Sequence, residues 1–78
     1  MATSEVFSLD IYCGKEDKCS LLIFHEESNS EEELKKVLDN YLQNHDHLDR
    51  LRCTFGSTFI HCEISRRSES LLKMVVPL

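Results

Sequence analysis

Residues 6 to 13, VFSLDIYC, alternate along the chain. Phe7, Leu9, Ile11 and Cys13 share one side, and Val6, Ser8, Asp10 and Tyr12 share the other, which is the pattern of a half-buried strand. Cys19 to Glu26, CSLLIFHE, is apolar on both sides, as expected of a strand covered on two faces. Strict alternation sends Cys19, Leu21, Ile23 and His25 one way and Leu22 and Phe24 the other. The run Gly14-Lys15-Glu16-Asp17-Lys18 between them suits a hairpin loop, with Gly14 free to take positive φ.

The period then changes. In ESNSEEELKKVLDNYLQNH, the residues Leu34, Val37, Leu38, Tyr41 and Leu42 recur at helical spacing as a single apolar stripe. Ser30 followed by Glu33 has the form of a capping box, and Glu31, Glu32 and Glu33 stand where the helix dipole favours acids. The spacing predicts a helix from about residue 31 to about residue 45.

Residues 51 to 65, LRCTFGSTFIHCEIS, predict a second hairpin turning at Gly56-Ser57. That register gathers Leu51, Cys53, Phe55, Ile60, Cys62 and Ile64 on one face, and Arg52, Thr54, Phe59, His61 and Glu63 on the other. After the polar loop SRRSES, LLKMVVPL predicts a short closing strand or a packed tail, with Pro77 confining it to an edge or terminus. The order is β-β-α-β-β, with LLKMVVPL as a candidate short fifth strand. Residues 1–78 are thus expected to form one α+β domain. Its architecture is a two-layer sandwich: an antiparallel sheet from two β-hairpins with one amphipathic helix on one face.

Length sharpens this picture. A chain of 78 residues buries only about 60–65 % of its unfolded surface and is marginal alone. A metal, a disulfide or a partner subunit is the usual supplement. Nine basic residues stand against fourteen acidic ones, a net charge of −5, which disfavours a dedicated nucleic-acid binder. The charge is uneven: residues 26 to 50 hold eight acids against three bases, and the chain from Leu51 onward holds four bases against two acids.

Four cysteines are candidates for chemistry. Their spacings, C-x5-C and C-x8-C, differ from the C-x2-C of common zinc modules. In the expected registers all four fall on the core face, and Cys53 and Cys62 sit on a diagonal about 7–8 Å apart. We read Cys13, Cys19, Cys53 and Cys62 as reduced core thiols, with a zinc site or a Cys13–Cys19 disulfide as the alternatives. No metal and no cofactor is expected. His45 and His47 are two apart and share no helical face, and His61 and Cys62 are strand neighbours that point to opposite sides. No G-x-S-x-G, phosphate loop or paired-carboxylate signature occurs, so the expectation is a non-enzymatic protein. MATSEVFSLDIYC lacks the basic and long apolar regions of a signal peptide, and no apolar run approaches the roughly 20 residues of a membrane span. These features suggest a cytoplasmic protein, small enough to reach the nucleus as well, with no membrane partner.

One feature reads as functional. With the helix on the Leu9, Ile23 and Ile60 side, the other sheet face is expected to carry Tyr12, Leu22, Phe24 and Phe59. Such a patch is unusual on a soluble monomer and is expected to be covered by a partner, with the C-terminal tail folded over it as the alternative. A second copy of the chain is the simplest one. The functional expectation is a small protein–protein interaction module, a homodimer acting as an accessory subunit, adaptor or binding-type inhibitor, with another protein as the other candidate partner. The alternative is a single-stranded RNA-binding protein that stacks bases on its sheet aromatics, as a viral silencing suppressor could.

Overall fold

A computed structural model describes residues 5–15 and 18–78, with the side chains of residues 18–20 outside the described set. The order is β1 (Phe7–Lys15), β2 (Lys18–Ser28), α1 (Glu31–Gln43), α2 (His45–Phe55), β3 (Phe59–Arg66) and β4 (Glu69–Pro77). The four strands form one antiparallel sheet in the order β2-β1-β3-β4. This is an α+β domain with a four-stranded antiparallel sheet and a helical region. Because β1 lies between β2 and β3, the chain must cross the sheet to start β3, and the helices make that return.

The core follows from alternation on the two central strands. Leu9, Ile11 and Cys13 of β1 face Ile64, Cys62 and Ile60 of β3, and all six are buried. Leu34 and Leu38 of α1 and Leu51 of α2 close over them. Val37, Tyr41 and Leu42 pack around this centre, so the whole stripe read from the sequence faces the sheet. Each fully buried aliphatic side chain contributes about 1.5–3 kcal/mol.

Helix α1 starts as expected but with a variation at its cap. Ser30 Oγ accepts from the Glu33 N–H, the forward arm of a capping box. The return arm runs through Ser28 instead. The Ser30 N–H donates to Ser28 Oγ, and the Ser28 hydroxyl donates to Glu33 Oε2. One extra hydroxyl thus relays the carboxylate back to the cap.

The expected second hairpin over residues 51–65 is replaced in its first half by a second helix. Asn44 ends α1 and caps α2, its side chain accepting from the His47 N–H at 3.2 Å. Gly56, at φ 64°, is the left-handed C-cap of α2 and not a hairpin turn residue. Leu48 and Leu51, three apart, pack on the core from this helix. Phe55 and Cys53 are exposed on it, so Cys53 is no core residue. Gly14 also departs from expectation: it is a strand residue of β1, opposite Phe59, and Gly56 is the positive-φ glycine among the described residues. Glu16 and Asp17 of the expected loop lie outside the described residues.

The expected closing strand is longer than LLKMVVPL. It begins at Glu69 and forms the edge strand β4, so this segment is part of the sheet and not a tail laid across it. Arg67 and Ser68 turn the β3–β4 hairpin, both at positive φ (49° and 69°). That is the backbone of a two-residue type I′ turn, which usually takes Asn or Gly.

Candidate interaction surface

The side of the sheet away from the helices is built by register. One row crosses all four strands as Leu22, Tyr12, His61 and Val75. The next row crosses as His25, Asp10, Glu63 and Lys73. Beyond the first row, Phe59 lies opposite Gly14 on one side and Pro77 on the other. Beyond the second, Ser8, Ser65, Ser70 and Glu27 complete the face. One half of the surface is therefore apolar and aromatic, and a charged row crosses its middle.

Leu22 is 48 % exposed and Val75 is 60 % exposed, while Tyr12 and Phe59 are half-buried by their neighbours in the sheet. Tyr12 and His61 meet edge to face with ring centroids 6.4 Å apart. Among the described residues, no helix or loop covers this face; the buried cluster and its packed neighbours all belong to the helix side.

Three of the four residues expected on the open face are there: Tyr12, Leu22 and Phe59. Phe24 is not. The β1–β2 register jumps between Ile11, opposite Phe24, and Tyr12, opposite Leu22, leaving Ile23 as the extra residue of a bulge. The bulge breaks strict alternation, so Ile23 and Phe24 both pack against the core. Phe24 lies against Tyr41 of α1 and is part of the two-layer packing. The physical reason is burial: four consecutive apolar residues, Leu21 to Phe24, place more apolar surface on the covered side when one of them bulges. Alternation already places Asp10 with Tyr12, and His61 and Glu63 with Phe59; sequence reading missed His25, which it put on the Ile23 side, and Val75. The signal for Val75 was cross-strand pairing with β4, which the tail reading hid.

His25 gives the charged row its local structure. Its Nδ1 hydrogen-bonds Asp10 Oδ1 across the β2–β1 ladder, and its Nε2 lies 3.9 Å from Glu27 Oε1. The hydrogen bond to Asp10 raises the imidazole above its ordinary value of 6.5; desolvation opposes this, and the charges of Asp10 and Glu27 add to it.

The other described candidate residues lie away from this face. Cys13, Cys53 and Cys62 are free thiols. Cys13 and Cys62 are buried in the core, and burial pushes the Cys62 thiol up to about 11. The backbone of Cys19 pairs with Gly14, and the expectation that its thiol is a core group falls outside the described residues. His47 Nε2 lies 2.7 Å from the Tyr41 hydroxyl, and the rings pack edge to face at 4.8 Å, tying α2 to α1. Burial, followed by the neighbouring Cys62 and Cys13, pushes Tyr41 up to about 12. Among the described residues no three His, Cys, Asp or Glu side chains gather to hold a metal ion, and no helix is long and apolar enough to cross a membrane. Two open clefts of about 180 and 190 Å³, one beside Leu48 and Arg52 and one beside Cys13 and Phe55, fall short of the roughly 300 Å³ at which ligand pockets begin. No family model, curated protein or solved structure matches the chain.

Proposed function

We propose that this chain is a small protein–protein interaction module that self-associates through its open sheet face, serving in the cytoplasm as an accessory subunit, adaptor or binding-type inhibitor. The observation that carries the reading is the uncovered row Leu22, Tyr12, His61 and Val75, with Phe59 beside it. Four strands at about 4.8 Å spacing and eight residues at about 3.3 Å give a projected face of about 500 Å². A standard interface buries about 800 Å² of accessible surface a side, so a second copy would have to cover most of this face.

The sheet edges favour the face over edge-to-edge pairing. β2 carries two register irregularities, and β4 carries one, together with Lys73 and Pro77. Bulges, lysine and proline are the devices that keep edge strands from pairing. The apolar row has no comparable protection.

The alternative, single-stranded RNA, has one observation in its favour. Tyr12 lies on one central strand, and Phe59 and His61 lie on the other, the placement from which sheet aromatics stack bases. Asp10, Glu63 and Glu27 share that face, and they repel phosphate. We therefore rank protein binding first.

A dilution series followed by NMR tests the proposal. On dilution from millimolar to micromolar, resonances of Tyr12, Leu22, Phe59 and Val75 should shift together, while those of Phe24 and Tyr41 stay fixed. Shifts confined to the helices would place association elsewhere. Sub-micromolar binding of single-stranded RNA at physiological salt, lost in Phe59→Ala, would put the alternative first.

A further inference from the structure

The charged row on the open face has its own logic, which rests on the self-association reading above. His25 on β2, Asp10 on β1, Glu63 on β3 and Lys73 on β4 are direct cross-strand neighbours. Asp10 and Tyr12 are two residues apart on β1, and Glu63 and His61 are two apart on β3, so the charged row borders the apolar one. A second copy seated on the apolar row also removes water from the charged row.

The cost of that desolvation depends on the charge count. Asp10 and Glu63 stand directly opposite each other, a like-charge pair that is unfavourable in a sheet. Lys73 flanks Glu63 in the register, and His25 hydrogen-bonds Asp10. With His25 protonated, the row has two cations and two anions and is neutral. With His25 neutral, one negative charge is left over, and burying it is costly.

Ring chemistry points the same way. A carboxylate only accepts, so His25 must donate to Asp10 from Nδ1. In the neutral ring, Nε2 then presents a lone pair toward the Glu27 carboxylate 3.9 Å away. In the protonated ring, Nε2 presents an N–H there. Among the described residues, the charged groups around His25 are Asp10 from β1, Glu27 on its own strand, and Glu63 and Lys73 farther along the row; β2 is an edge strand, and the helices lie on the opposite face.

We propose that self-association through the open face is gated by protonation of His25: the dimer tightens as pH falls through the imidazole range and loosens as His25 becomes neutral. Each copy contributes one such histidine, so a two-fold dimer takes up protons at two places.

Sedimentation velocity over a concentration series, at about pH 5.5 and about pH 8 and constant ionic strength, tests this with wild type, His25→Gln and His61→Gln. The wild-type dimer should weaken by about tenfold or more between the two conditions, one pKa unit of coupling being a factor of ten. His25→Gln should abolish the pH slope. His61→Gln, whatever it does to absolute affinity, should keep it. A slope that survives His25→Gln overturns the gating and assigns the effect to His61 or to the net charge of −5. A wild-type dimer equally tight at both conditions overturns the gating and leaves self-association standing. A wild type monomeric at both, up to millimolar concentration, overturns the two together.

Discussion

The Phe24 ring rests on the Tyr41 ring, with centroids 5.3 Å apart and planes tilted by 53°. This contact joins β2 to α1, and the bulge at Ile23 makes it. It also divides the aromatics of the chain by role: Phe24 holds the two layers together, while Tyr12 and Phe59 lie on the open face. Phe24→Ala should therefore destabilise the monomer by about 2–3 kcal/mol, the lower end for a large-to-small change at a partly buried site. Urea denaturation measures it. A cost below about 0.5 kcal/mol, the level of a surface substitution, would contradict the placement.

Among the described residues, the β3–β4 turn is the place where the backbone conflicts most with its residues. Arg67 and Ser68 occupy left-handed φ values without being Asn, Asp or Gly. The double change Arg67→Asn and Ser68→Gly should stabilise the fold by about 1 kcal/mol and raise Tm by about 4–8 °C. Calorimetry on the double variant checks this. A lower Tm would mean that the Arg66 contacts with Glu5 and Glu69 beside the turn depend on the native residues.

Much of this architecture was legible in the sequence because periodicity is strong where one side is buried. Strand β1, helix α1 and the inward set Ile60, Cys62 and Ile64 all follow from it. Helix α2 was not legible because LRCTF is rich in residues that fit strands, and Gly56-Ser57 resembles a turn. The competing signals were local: Asn44 as a cap, Leu48 and Leu51 three apart, and Gly56 directly after the last turn. Phe24 was misplaced for a different reason. A run of four apolar residues has no alternation to read, and a bulge shifts every side chain after it.

The cysteines should react in order of exposure. Alkylation followed by peptide mapping should label Cys53 quickly, while Cys13 and Cys62 stay protected until denaturant is added. Burial both blocks access to Cys62 and pushes its thiol up to about 11, leaving little thiolate at neutral pH. Labelling of Cys62 as fast as that of Cys53 in the native protein would contradict the core assignment.

His25 makes stability depend on pH with a definite sign. The hydrogen bond to Asp10 raises its folded value above the ordinary 6.5. The stabilisation is therefore complete below about 6.5 and is lost as pH rises through the folded value. At concentrations too low for association, the Tm difference between wild type and His25→Gln should be largest near pH 5.5 and shrink by about pH 8. A difference that grows with pH would contradict the geometry of the Asp10 contact.

Whether the open face seats a second copy is decided most directly by light scattering on wild type, Leu22→Asp and Phe59→Asp at about 100 μM and mildly acidic pH. Leu22 and Phe59 stand off the covered layer, so both variants should keep the wild-type circular dichroism spectrum. Wild type should have twice the 9.1 kDa chain mass, and each variant should have the mass of one chain, because a carboxylate would be buried without a partner. A wild type that stays at 9.1 kDa, or a dimer that persists in both variants, would contradict association through this face.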